Sequence, residues 1–305
     1  MTHAPMTPET CFLAVPAGRI AFDDTGGSGP LVVAIPGMGD LRTEYRHVRP
    51  ALQAAGYRVV TLDVRGCGDT AAAWHDYSAH AIGRDALALI AHLGGGPAVI
   101  LGNSFAAGAA LWAAHEDAAS VCGVVLLGPM VRDQPLSWWS RLMLAAGFAG
   151  PWRKRLWLGY RDSLFPTVKP PDHAAERAAL ARNLDEPGRM AALRTMIGLP
   201  KADTAAILPQ VRVPALIVMG TKDPDFQDPV AEAHWLAAQL QATTLCIDGA
   251  GHYPHAEMPE RVLPSLLAFL AARRLAHDDV AGFQQRLEVR EDPRPAPADA
   301  AADEP

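Results

Sequence analysis

The sequence predicts an α/β protein: a mostly parallel central sheet flanked by helices, with a helical insertion late in the chain. Three observations carry this expectation. Short apolar runs alternate with helix-like stretches, the pattern of strand–helix–strand units. The inner runs are continuously apolar, as in Leu31-Val32-Val33-Ala34-Ile35, which suits parallel strands covered on both faces. The 305 residues are 50% hydrophobic, enough to bury one sizeable core.

Taken in order, strands are expected at Cys11–Val15, Arg19–Asp23, Leu31–Ile35, Arg58–Asp63, Ala98–Gly102, Val121–Leu127, Ala215–Met219 and Thr244–Asp248. The first two are joined through Pro16-Ala17-Gly18, too short for anything but an antiparallel hairpin. Helices are expected at Thr43–Ala55, Ala79–Leu93, Phe105–His115, Pro229–Gln241 and Pro259–Leu275. Asp228 before Pro229 reads as a helix N-cap. The stretch between Leu127 and Ala215 is too long for a structureless loop. Its helical patterns are broken at Gly150-Pro151, Pro166, Pro170-Pro171 and Pro187-Gly188, and it holds Trp138, Trp139, Trp152, Trp157, Phe148 and Phe165. It is expected to form a helical cap over residues 132–205, with the core of the fold at 1–131 and 206–277. From 278 to 305 the chain is rich in Ala, Pro, Asp and Glu, and disorder is expected there.

Composition narrows the function. A net charge of −6 without a basic patch argues against a nucleic-acid partner. No apolar run approaches the roughly 18 residues of a membrane span. The first ten residues lack the charged-then-apolar order of a secretory leader, so the cytoplasm is the expected compartment. The four cysteines are far apart and form no Cys-x-x-Cys pair, so neither a zinc site nor a disulfide framework is expected. The oligomeric state is not written in the sequence.

The chemistry is concentrated in a few loops that follow strands. Gly102-Asn103-Ser104-Phe105-Ala106 follows an apolar run and precedes a helix rich in small residues. A serine in a sharp strand-to-helix turn needs small residues two before and two after it, and Gly102 and Ala106 meet that need. Such a turn exposes Ser104 Oγ and leaves the N–H of Phe105 free to face an oxyanion. The plainer reading is a helix-capping serine; placement after the fifth expected strand favours the nucleophile. A serine hydroxyl needs a base. The histidines after Ser104 are His173, His234, His252, His255 and His277. His252 stands in the glycine-rich turn Gly249-Ala250-Gly251-His252 after the last strand, where ligands meet a parallel sheet, and is the expected base. His255 is the reserve candidate, read otherwise as a solvent-exposed loop histidine. An acid to orient the imidazole is sought after the preceding strand, in Gly220-Thr221-Lys222-Asp223-Pro224-Asp225. Asp223 is preferred and Asp225 remains an alternative. Ile35-Pro36-Gly37-Met38-Gly39-Asp40 follows another inner strand, and its glycines let backbone N–H groups point into a site. A dinucleotide loop would need a third glycine, which is missing.

In this order the motifs resemble the α/β-hydrolase superfamily, in the branch with a helical cap after the sixth strand. The resemblance covers about residues 11 to 275. It rests on Pro36-Gly37-Met38-Gly39, Asp63-Val64-Arg65-Gly66-Cys67-Gly68, the serine turn, Gly220 to Asp223, Gly251-His252 and Glu257 to Pro259. It implies a catalytic triad of Ser104, Asp223 and His252, with an oxyanion hole formed by the N–H groups of Met38 and Phe105. Two positions depart from the family pattern: Pro36 where His is frequent, and Cys67 where His is frequent. Neither removes a catalytic group, and Cys67 reads as a packing variant.

A serine at the turn argues against the family members that use aspartate there. The expected reaction is acyl transfer to water through an acyl-enzyme, with no cofactor and no metal. The expected substrate is a small apolar or aromatic acyl compound, a carboxylic ester first. Cleavage of a carbon–carbon bond, a lactone or a thioester stays open, as does a slow-turnover ligand sensor that signals to a partner protein. The cap tryptophans equally suit a small core of the cap's own.

Overall fold

Strands β1 (Thr10–Val15) and β2 (Gly18–Asp24) pair antiparallel, with Leu13 opposite Ile20. The far edge of β2 runs antiparallel to β4 (Arg58–Leu62). Beyond it the pairing is parallel throughout, taking in β3 (Leu31–Ile35), β5 (Ala98–Asn103), β6 (Val121–Leu127), β7 (Ala215–Gly220) and β8 (Thr243–Ile247). The result is one eight-stranded sheet in the order β1-β2-β4-β3-β5-β6-β7-β8. Each strand lies within one residue of its expected bounds. The structure, a computed structural model, describes residues 9–16, 18–94, 96–134, 147 and 150–288, with side chains up to 274.

The core follows from the period of two along each strand. Val33 and Ile35 point into one apolar layer and Val32 and Ala34 into the other. Helices α2 (Ala79–Leu93), α3 (Ala106–Glu116) and α8 (Pro229–Leu240) cover the first layer, through Ile82, Leu89, Leu111 and Leu236. Helices α1 (Arg49–Ala54) and α10 (Pro259–Glu288), the latter preceded by the short α9 (Pro254–Glu257), cover the second, α10 through Val262, Leu266 and Leu270 at helical spacing. Each such side chain contributes about 1.5–3 kcal/mol by leaving water. The Asp228 carboxylate accepts the N–H of Ala231 at 2.9 Å, the cap expected at the start of α8.

Two differences from the sequence expectation have local causes. The helix expected at Thr43–Ala55 is a 3₁₀ turn at Arg42–His47 followed by α1. Pro50 has no N–H to continue a helix from before it and sits instead in the first turn of a new one. Helix α10 runs past Leu275 to Glu288, so the first part of the segment expected to be disordered has helical backbone. Residues 289–305 lie outside the described residues.

Between β6 and β7 the described residues include the α-helices α4 (Arg153–Ser163), α5 (His173–Asp185), α6 (Arg189–Ile197) and α7 (Ala202–Ile207), and a 3₁₀ turn at Leu208–Gln210. They have a small core of their own, built from Trp157, Leu158, Leu180, Leu184, Met190 and Leu193. Trp157 thus packs inside the insertion, whereas Trp152 is 58% exposed. Trp138, Trp139 and Phe148 lie outside the described residues.

The strand order places the site. From β3 the chain moves outward to β4, then returns to β5 on the other side of β3. The loops after β3 and β5 therefore part at the carboxyl edge of the sheet, leaving the crevice where ligands bind open sheets.

Candidate active site

Ser104 directly follows β5 and has φ +55. Among the described residues only Gln241 shares a positive φ without being glycine. The conformation is costly for a side-chain-bearing residue and is kept because its surroundings fix it. Ser104 N–H donates to Leu127 O at 2.9 Å, and Met130 N–H donates to Ser104 O at 3.1 Å. A Cβ on Gly102 would lie 2.4 Å from Ala106 O, so the turn closes only over glycine.

The loop after β3 runs against this turn. A Cβ on Gly37 would meet Asn103 Oδ1 at 2.7 Å and Ser104 Cβ at 3.4 Å. Gly37 N–H donates to Glu44 Oε2 at 2.8 Å, which fixes the peptide just before Met38. Among the described residues no hydrogen bond uses the N–H of Met38 or Phe105. Both flank the serine turn with a donor to spare.

His252 is fully buried, and its Nδ1 lies 2.7 Å from Asp223 Oδ2. With Nδ1–H donating to that carboxylate, Nε2 keeps a lone pair. Asp225 Oδ2 lies farther off, at 3.6 Å. Asn103 Nδ2 donates to His252 O at 3.3 Å, so the serine turn and the histidine turn are bonded neighbours. Burial opposes a charge on the imidazole, but the carboxylates of Asp223, then Asp225, and the more distant Glu44 outweigh it, pushing His252 up to about 9. The turn is rigidly made. Glu257 accepts the N–H groups of Gly251 and Tyr253, and burial holds its carboxyl up at about 7 in spite of them. A Cβ on Gly220 would lie 2.0 Å from Gly251 O.

The other sequence candidates fall elsewhere. His255 is buried rather than solvent-exposed, stacked on Tyr45 at 5.1 Å with Nε2 3.0 Å from Glu44 Oε1. Burial and the nearby His252 hold it down at about 3, so it stays neutral. His173 pairs with Asp162 at 2.9 Å, His234 is exposed on α8, and the side chain of His277 is not among those described. Cys67 is buried, and burial pushes its thiol up to about 12. It is an inert packing group.

Several residues near the site gave no sequence signal. Arg161 of α4 donates from Nε to Asp40 Oδ1 at 2.6 Å, and Tyr253 OH donates to the other Asp40 oxygen. Phe165 stacks on Tyr253 at 4.8 Å. His252 N–H donates to Leu164 O at 3.0 Å, and a Cβ on Gly39 would lie 2.8 Å from both Trp157 and Leu193. The insertion therefore touches the loop after β3 and the histidine turn alike. Asp223, Asp225 and His252 each bring a ligand-type atom within 4.8 Å of the others, a spacing that could hold a metal ion. Those atoms are already engaged with one another and with the Tyr160 hydroxyl, 2.7 Å from Asp225 Oδ1. This arrangement is suited to holding a proton.

Comparison with known proteins agrees with the fold. Residues 32–265 match the family model described as "Alpha/beta hydrolase family". A 284-residue stretch is 32% identical to the polyketide synthase ThaQ of Burkholderia thailandensis, covering 87% of this chain but 13% of that much longer protein. The solved bromoperoxidase of Bacillus anthracis superimposes with a TM-score of 0.73 at 20% identity, over 86% of this chain and 100% of that one. The esterase EaEST of Exiguobacterium antarcticum does so with a TM-score of 0.73 at 20% identity, over 87% and 100%.

Proposed function

The chain belongs to the alpha/beta hydrolase family, and from that premise we propose that it is a serine hydrolase acting on a carboxylic ester or similar acyl compound. The observation that carries this reading is the left-handed Ser104, in a turn that Asn103 bonds to the His252 turn, together with the buried His252–Asp223 pair at 2.7 Å. In the proposed reaction His252 Nε2 takes the Ser104 proton as Oγ attacks the acyl carbon. The N–H groups of Met38 and Phe105 receive the oxyanion; one such donor is worth roughly 10²–10³ in rate. Asp223 holds the imidazole tautomer and steadies the imidazolium, which then protonates the leaving group. Water repeats the steps on the acyl-enzyme. The insertion acts as a cap whose Trp157 and Leu193 narrow the approach over Gly39.

A thioester is the second reading, favoured by a solved thioesterase domain of the same fold, from the curacin biosynthetic pathway. Both readings predict that a fluorophosphonate adds once, at Ser104, and equally in Cys67→Ala. An adduct on another serine, or none on folded protein, would overturn them. Relative turnover of short-chain nitrophenyl esters and the matching acyl thioesters then separates the two.

A further inference from the structure

Of the two carboxylates beside His252 Nδ1, Asp225 is the one the proposed reaction leaves idle. Its side chain is only 8% exposed, and Oδ2 stands 3.6 Å from His252 Nδ1, beside the 2.7 Å contact of Asp223. Two contacts hold it there. Its own N–H donates to Asp223 Oδ1 at 3.0 Å. Its carboxylate accepts the Tyr160 hydroxyl, which lies 2.7 and 2.8 Å from the two oxygens. Tyr160 belongs to α4 in the insertion and is braced by Trp157, ring centroids 5.4 Å apart. Asp225 needs to move about 1 Å to reach hydrogen-bond distance of the imidazole.

We propose that Asp225 is a second acid for His252, held in reserve by Tyr160: it shares the imidazolium charge with Asp223 and accepts Nδ1–H itself when Asp223 is absent. This rests on the serine-hydrolase reading above. No proton passes to either carboxylate; the Ser104 proton travels to Nε2 and on to the leaving group, while Nδ1–H stays on nitrogen. Asp225 acts through His252 and is a positioning residue. Tyr160 sets how much it contributes, because a hydroxyl donating to the carboxylate weakens its pull on Nδ1–H. The proposal links the insertion to the base through one hydrogen bond.

The distinguishing consequence is an inverted order of damage. In Asp223→Asn the amide fills the acceptor's place and presents an N–H to Nδ1, favouring the wrong tautomer, a loss of up to ~10⁴-fold in kcat by analogy with the protease triad. In Asp223→Ala the space is open and the N–H of Asp225 is released, so Asp225 can close on Nδ1. Asp223→Ala is therefore expected to be at least ~10-fold more active than Asp223→Asn. Adding Asp225→Asn should remove that advantage, and adding Tyr160→Phe should enlarge it severalfold.

The experiment measures nitrophenyl-ester turnover against pH for these variants of the full chain, with thermal unfolding to confirm that each is folded. The groups that face His252 are Asp223, Asp225, Glu44, Tyr253, His255 and Glu257, with Tyr160 and Lys201 acting on Asp225. Asp225→Asn alone removes one negative charge and should move the acid limb of kcat/KM to lower pH, whereas Asp225→Glu should restore it. A merely structural tie to the insertion would lower the unfolding temperature and leave the limb in place. If Asp223→Ala is no better than Asp223→Asn, or Asp225→Asn leaves the limb unmoved while Ser104 and His252 remain essential, the second acid is refuted. If Ser104→Ala or His252→Ala keeps full activity, it is the hydrolase reading that fails, and the proposal falls with it.

Discussion

A buried imidazole between carboxylates holds its proton tightly, and that has a kinetic consequence. His252 is pushed up to about 9, yet a general base must be neutral to accept the serine proton. kcat/KM of the free enzyme is therefore expected to climb about tenfold per pH unit below that value and level off above it. A profile already flat at pH 7 would mean that the carboxylates around His252 raise its affinity for the proton far less than this arrangement implies. The loop after β3 gives a second test. Asn103 is tied at Nδ2 to Leu127 O and His252 O, so it cannot retreat from a Cβ placed 2.7 Å from its Oδ1. Gly37→Ala should displace the Met38 peptide and cost about 10²-fold or more in kcat, with a destabilisation of about 1–3 kcal/mol. Gly159→Ala, with nothing within 4 Å of its Cβ, is the control: it should leave kcat unchanged and, inside α4, stabilise by up to about 1 kcal/mol. Ser104 and His252 were legible in the sequence because a strained turn and a tight one leave glycine and alanine at fixed offsets. The preference for Asp223 over Asp225 rested on turn position alone, since two residues of spacing within one loop carry little direction; the 2.7 and 3.6 Å separations from His252 Nδ1 come from the fold. Asp40, Glu44, Tyr160 and Arg161 were hidden altogether. Their partners lie far along the chain, as with Arg161 and Asp40, 121 residues apart.

At the scale of elements, the strands were readable to within a residue because continuous apolar runs have few other uses in a chain this long. The insertion was readable as helical, but not in its contacts, which depend on how four short helices pack around Trp157 and Leu193. Those contacts decide what α4 does. Within eight residues it and the turn after it place Trp157 over Gly39, Tyr160 on Asp225, Arg161 on Asp40 and Leu164 O on His252 N–H. This helix and the turn after it thus touch the loop after β3, the loop after β7 and the His252 turn. Arg161 also neutralises Asp40 at a place where an unpaired carboxylate would cost several kcal/mol. Trp157→Ala tests the cap reading at this scale. It removes a large side chain above Gly39 and should raise kcat/KM for bulky acyl groups relative to acetyl, at a stability cost of about 3–5 kcal/mol. If the stably folded part of the population keeps the parent's substrate ranking, the insertion does not control access.

For the molecule as a whole, the site stores protonation states that the unfolded chain does not share, so stability must depend on pH. His252 has its ordinary value near 6.5 when unfolded and about 9 when folded. Its folded-state proton contributes fully below pH 6.5 and is lost as pH rises through 9. The contribution is on the order of 3 kcal/mol. Glu257 is likewise raised, to about 7, so its contribution is also lost on going alkaline, between about 4.5 and 7. His255 has the opposite sign. Folding holds it neutral down to about 3, so it stabilises above pH 6.5 and ceases to as the medium is acidified toward 3. Below pH 6.5 Glu257 and His255 therefore oppose each other. Between pH 7 and 9 His252 acts without either of them, and the fold should lose stability steadily as pH rises. Urea unfolding at fixed temperature across that range should show a falling free energy in the parent chain and a nearly flat one in His252→Gln. An equal slope in both would mean that the proton held in the native state is not on His252, and the charge arrangement built around it here would have to be redrawn.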